Sequence, residues 1–481
     1  MKRIISIIGG GIGGLAAGCR LAAQGHRVTI YERNTQPGGK AAGIRIENLW
    51  VDSTPTILRM PHLVKDLFLS AAGNDIHHLD LKLLDPHYRF FQAASDNWFE
   101  IASRSQATKT SISSVSSTDA EHYDEFLDFC QHTYTNHLSS NPVLPTTFNI
   151  NSIFKRLSSG SSMAAPFTQP YYRMIASHFK HPLIRHSFGY FPLFFGQNPF
   201  TAPASYAMLH SIEQKWGIAY PMGGMRHLVH LLVELFQSLG GTIALNTPVA
   251  AIDIHHKTIK NIRLSSGDLL QTDYVISDLS PYQTIQNLIL RQPKIEKTPN
   301  TKSFGNSHVI MHFICKKLAF RDKIQHHNFI LTDTFNQSIQ SLFRRNVMPA
   351  SLNLYVCVPT VTDSTLLPPD QDLVIVVMPA PNLLSLIEWG DESLPVQTLI
   401  TKTIDQQFPG FQQSIIHQKL THPGNLAENY GMEWGSNMVP QKHQPIEKLF
   451  YTGENAWQGL GLIGIFSSAE AISRTIAKLE S

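Results

Sequence analysis

The stretch "IISIIGGGIGGLAAG", residues 4–18, decides the fold of this chain. Ile4, Ile5, Ile7 and Ile8 form a β-branched run that halts at glycines, and Leu15, Gly18, Leu21 and Ala22 then recur at helical spacing. A buried strand therefore turns directly into a helix. Gly9, Gly11 and Gly14 set the spacing G-x-G-x-x-G, which permits a tight turn, admits a pyrophosphate to backbone N–H groups and lets helix and strand pack closely. "HRVTIYE" adds a second strand of parallel type and ends on Glu32, 18 residues after Gly14, where an acid can bind a ribose hydroxyl. NAD and FAD share this geometry, so these residues leave the nucleotide open. Gly459, Gly461 and Gly464 repeat the glycine spacing, but no strand runs into them, and with 17 residues remaining they do not make a second whole unit.

Composition narrows the class. The 481 residues allow two or three domains, with 42% hydrophobic and only 16% charged residues. A formal charge of +3 with no dense Lys/Arg run argues against nucleic acid as a partner. Cys19, Cys130, Cys315 and Cys357 lack CxxC spacing and read as buried free thiols of a reducing cytoplasm. Lys2 and Arg3 imitate the start of a signal peptide, but the apolar run after them is short and meets glycine. No apolar run approaches the roughly eighteen residues that span a bilayer.

The rest of the chain reads as an ordered series. "IRIENLWVDSTPTIL" predicts a short hairpin, and residues 61–73 a helix. The Ser/Thr-rich runs 102–118 and 158–162 read as exposed loops within a helical section that includes "EHYDEFLDFCQHTY". "YPMGGMRHLVHLLVELFQSLGGTIALNTPVAAIDI" reads as loop, amphipathic helix, glycine stop, strand and strand. "SHVIMHFIC", "SLNLYVCVP" and "DLVIVVMPAP" make a β-rich section. The tail gives a strand, a glycine loop and a helix with Ile465, Ala469, Ile472, Ile476 and Leu479 on its buried side.

These residues carry a family resemblance. The N-terminal glycines, Glu32-Arg33 and Gly38-Gly39-Lys40-x-x-Gly43 resemble FAD enzymes of the amine oxidase superfamily. "VDSTPTIL", residues 196–229, residues 351–372 and the "YTGEN" tail resemble bacterial-type phytoene desaturases, in order and over nearly the whole chain. The resemblance implies an α/β fold: a Rossmann-like FAD-binding domain of residues 1–85, 216–290 and 420–481, interleaved with helical and mixed β-sheet substrate insertions of residues 86–215 and 291–419. It implies FAD contacts from Gly9, Gly11, Gly13 and Gly14 at the pyrophosphate, from Glu32 and Arg33 beside the ribose, and from Gly39 and Lys40 near the phosphates. Val249 would meet the adenine, while Pro55, Thr56, Gly223 and Gly224 would approach the ring system. Gly453, Glu454, Gly461 and Gly464 would close the site, the last helix turning its N-terminus to the flavin.

The activity so implied is desaturation of a long apolar polyene such as phytoene or diapophytoene, with hydride passing to flavin N5 and oxygen or a quinone as acceptor. Carotenoid oxygenation or isomerisation, flavin amine oxidation and non-redox FAD binding are the alternatives. Thr54, where these desaturases usually carry glycine, and Trp457-Gln458-Gly459, in place of His-Pro-Gly, depart from the desaturase pattern. Arg173 is a weak catalytic candidate. No metal is expected, because the pairs His77-His78, His255-His256 and His326-His327 lack H-E-x-x-H or cysteine partners in sequence. Such a substrate points to a cytoplasmic protein lying peripherally on the inner face of a membrane, and the aromatic run His181–Phe195 is the expected docking surface, with Phe191 and Phe194 among its contacts.

Overall fold

The computed structural model describes residues 2–54, 56–72, 78–136, 169–289, 305–430, 446–453 and 460–481. Ile4–Ile8 lies at the middle of a five-stranded sheet, in the order Thr242–Ala244, Arg27–Tyr31, Ile4–Ile8, Tyr274–Ser277, Leu449–Tyr451. Every pairing in it is parallel. A central parallel strand is covered on both faces, which explains the unbroken isoleucine run; Ile5 and Ile7 are fully buried. The helix Ile12–Ala23 packs against the last helix, Leu462–Glu480.

A second, seven-stranded sheet is mixed. Its strands run in the order Ile415–Thr421, Ser307–Lys316, Gln371–Ala380, Leu354–Cys357, His327–Leu331, Tyr88–Gln92 and Trp98–Ile101. Alternate residues along these strands belong to different cores. Met311, Phe313, Val356, Val374 and Val376 pack with Val396, Ile400 and Ile404 of the helix Trp389–Gln407. Ile310, Phe329, Tyr355 and Ile375 face the other way, into the large core shared with the parallel sheet. The strand His327–Leu331 escaped the sequence reading.

The hairpin Ile44–Ile46/Leu49–Val51 and the helices His62–Ala72, Tyr123–Tyr134 and Gly224–Ser238 form where the pattern placed them. Other expectations are corrected. Residues 102–118 are not mainly loop, since Ser105–Ser113 and Ser117–Glu121 are helices. Several hydroxyls there serve the backbone instead of water. Thr108 Oγ1 accepts from Ala102 N–H at 2.9 Å, Ser111 Oγ from Glu100 N–H at 2.8 Å, and Ser116 Oγ caps the second helix through Asp119 N–H at 3.2 Å. Tyr220 and Pro221, read as loop, belong to the strand Ile218–Pro221. Leu479 stands on the solvent side of the last helix at 62% exposure. Residues 158–162 lie outside the described residues.

The expected docking surface is also corrected. Pro182–Gly189 and Phe191–Phe195 are short helices whose apolar side chains point inward. Phe191 is fully buried, and Phe194 packs on the core against Phe329 and Tyr355. The run is cavity wall and core, and it offers no exposed aromatic face.

Candidate flavin site

The residue that follows each of four parallel strands comes to one edge: Gly9 after Ile8, Glu32 after Tyr31, Asp278 after Ser277 and Thr452 after Tyr451. The carboxyl edge of such a sheet is where ligands bind in open α/β folds. A cavity of about 590 Å³ runs along it, lined by Gly9, Gly11, Gly13, Glu32, Arg33, Gly39, Lys40, Val249 and Asp278 at one end. Thr56, Arg59, Phe194, Phe195, Ile310 and Tyr355 line the other end.

The glycine cradle is tightly fitted. Gly38 N–H donates to Gly10 O at 2.7 Å, and a Cβ on Gly39 would stand 3.3 Å from Gly11 Cα. A Cβ on Gly14 would strike Gly9 O. Glu32 accepts from Gly10 N–H at 2.7 Å and from Asn34 N–H at 2.8 Å, pinning the loop while each carboxylate oxygen keeps a lone pair for a hydroxyl. The last helix is capped by Gly461 with φ +57° and has no side-chain cap or acid in its first turn. Gly461, Leu462, Ile463 and Ile465 line the cavity, whereas Gly464 is buried behind it. These bare amides and the backbone-walled cradle fit a dinucleotide diphosphate.

The opposite end is apolar around a buried polar cluster. Arg59 donates to Glu213 Oε1 at 2.5 Å and to Tyr88 OH at 3.0 Å, and Tyr88 OH donates to the same carboxylate at 2.7 Å. Thr56 Oγ1 and Tyr355 OH are 2.7 Å apart, and Tyr355 OH lies 2.8 Å from His327 Nδ1. Burial holds His327 neutral, its pKa well below the usual range, and its Nδ1 shares one hydrogen bond with the tyrosine hydroxyl. Cys357 lies beside His326 and His327, a convergence of three buried groups that their separation in sequence hid.

Not every expected residue reaches the cavity. Gly223 and Gly224 do not line it. Gly223 N–H donates to Asp363 at 2.7 Å, while Asp52 accepts from Met225 and Arg226 N–H at 2.8 and 2.9 Å, capping the helix that Gly224 starts. His312 Nε2, fully enclosed, donates to Asp52 O at 3.0 Å and fixes the strand end that leads to Thr56. Arg173 is exposed on the helix Tyr171–His178, away from the cavity. Gly14 supports the turn from beneath the cavity wall. Pro55, Glu454 and Trp457-Gln458-Gly459 lie outside the described residues. The sequence reading missed Asp278, Arg59, Glu213 and Tyr355.

Fold and cradle define a dinucleotide-binding protein of the flavoprotein type. Residues 12–378 match the family model described as flavin containing amine oxidoreductase, and the chain belongs to that family. It is 25% identical over 484 residues to a phytoene desaturase (lycopene-forming) of Pantoea ananas, covering 97% of each chain. It is 24% identical over 500 residues to a 4,4'-diaponeurosporene oxygenase of Staphylococcus aureus, covering 100% of this chain and 99% of that one. Among solved structures, putrescine oxidase bound to putrescine superposes with a TM-score of 0.66 at 12% identity, covering 100% of this chain and 99% of that one, a likeness of fold.

Proposed function

We propose that this flavin-dependent oxidoreductase uses FAD to desaturate a long apolar polyene of the phytoene or diapophytoene class. The observation that carries the reading is one cavity that joins a diphosphate cradle to an aromatic and aliphatic wall. The similarity to a phytoene desaturase over 97% of the chain gives it a substrate class.

When bound, the flavin accepts the hydride of the reaction. The protein's own share is binding, alignment and exclusion of water. Gly9, Gly11, Gly13 and Gly39 hold the diphosphate by backbone, Glu32 takes the ribose and Val249 flanks the adenine. Phe194, Phe195 and Ile310 give a polyene an apolar wall, and each CH₂ taken from water there contributes about 0.8 kcal/mol. Arg59, enclosed and paired with Glu213, stays charged, and the pair presents a fixed dipole with no net charge to this wall of the cavity.

Such a substrate resides in a bilayer. No described helix is long and apolar enough to cross a membrane, and the reading supplies the polyene by peripheral contact on the inner, cytoplasmic face, with oxygen or a quinone as final acceptor. Polyene oxygenation is the second reading, favoured by the end-to-end similarity to the diaponeurosporene oxygenase. Expression in cells that accumulate phytoene or diapophytoene separates the two. Coloured products with added double bonds and no added oxygen support desaturation. Oxygen-bearing products support the second reading, and unchanged precursors refute both.

A further inference from the structure

Asp278 stands where the FAD reading puts the diphosphate. Its carboxylate oxygens stand against the Gly11 and Gly13 backbone, and the Gly11 and Gly14 amides, part of the cluster that would hold the cofactor's anion, favour its ionised form. Four glycines close around it. A Cβ on Gly9 would lie 3.2 Å from Asp278 Cβ and one on Gly453 2.6 Å from Oδ1, while those on Gly11 and Gly13 would strike the carboxylate oxygens. An ionised carboxylate and a diphosphate thus compete for one set of donors at one helix N-terminus.

We propose that Asp278 couples cofactor binding to a proton: ionised, it holds the glycine-loop amides itself; protonated, it yields them, so the protein takes up a proton when it binds FAD. The inference rests on the FAD reading above. The surroundings of Asp278 set the sign. Burial and the Glu32 carboxylate, two strands away in the sheet, push its pKa up. The Gly11 and Gly14 amides and the Lys40 ammonium, on the loop across the cradle, pull it down. Thr452 and Gly453, on the last strand's side, bring no charge. Burial wins, and the carboxyl is pushed up to about 7. A diphosphate adds negative charge beside it, which disfavours the carboxylate further. Its own diester groups do not titrate near neutrality. FAD affinity is therefore flat below about pH 7 and falls above it, by roughly tenfold per pH unit.

The test uses the full-length protein stripped of flavin, titrated with FAD by flavin-fluorescence quenching between pH 6 and 9, beside Asp278→Asn. Wild type is expected to weaken at least tenfold from pH 7 to pH 8.5, whereas Asp278→Asn stays flat and binds tighter than wild type at pH 8.5. Calorimetry on wild type at pH 8, in two buffers of different ionisation enthalpy, gives the proton count without any variant; close to one proton taken up is expected. No proton uptake at pH 8, proton release, or the same pH profile in both proteins overturns the role of Asp278 while leaving FAD binding intact. Absence of FAD binding at every pH overturns the cofactor reading and this inference together.

Discussion

A methyl group placed on Gly13 would lie 2.7 Å from the amide nitrogen of Gly453, although the two residues stand at opposite ends of the chain. The first helix and the end of the last strand meet at this point with only backbone and the Asp278 carboxylate between them, and the cradle exists because neither glycine has a side chain.

Gly13→Ala is therefore expected to cost about 1–3 kcal/mol by overpacking and to lower the flavin content of the purified protein. Gly390→Ala is the control: no atom lies within 4 Å of its would-be Cβ, in the first turn of an outer helix. Absorbance of bound flavin together with urea unfolding checks both. Full flavin occupancy in Gly13→Ala would show that the cradle is elsewhere.

The Arg59–Glu213 pair is enclosed, with side chains 8% and 1% exposed. Removing one partner strands the other's charge, so Arg59→Met or Glu213→Gln alone is expected to destabilise by about 3–5 kcal/mol. The double variant is expected to lose clearly less than the sum, as a double-mutant cycle in urea will show.

Phe194 touches Tyr355 edge-on, with ring centroids 5.4 Å apart, and both line the cavity. Phe194→Ala is expected to shift the preferred polyene length while flavin stays bound. Tyr355→Phe leaves Thr56 and His327 without their shared hydroxyl and is expected to cost about 1–3 kcal/mol. Product profiles by chromatography and thermal unfolding separate the two effects.

Burial pulls His210 down to about 4, between Phe126, Phe188 and Phe191. It stays neutral in the fold, while an unfolded histidine protonates below about 6.5. Its contribution is therefore complete above pH 6.5 and is lost as pH falls from there towards 4. His210→Gln is expected to remove about 1.4 kcal/mol per pH unit from the slope of stability between pH 6 and 4.5, measured by urea unfolding.

The parts of the fold written in local pattern were legible from the sequence. Ile4–Ile8 with its glycines, the amphipathic Gly224–Ser238 and the strand Ser307–Lys316 each carry their own periodicity. Residues 102–118 were misread as loop because hydroxyls that suggest loop, those of Thr108, Ser111 and Ser116 among them, are spent on backbone partners here. Arg59 and Glu213 meet only through tertiary packing, as do Tyr355 and Thr56, and no spacing announces either pair. Asp278 did have a signal: a polar residue directly after the strand "YVIS" falls on the ligand-binding edge once that strand is placed beside Ile4–Ile8.

The central claim is tested most directly by anaerobic mixing of the flavin-loaded protein with phytoene or diapophytoene in liposomes, following flavin absorbance and extracted polyene together. The account predicts loss of flavin absorbance matched by a polyene with at least one more conjugated double bond, and no change with putrescine. Flavin reduced by putrescine, with hydrogen peroxide released on admitting air and the polyene unchanged, would contradict it.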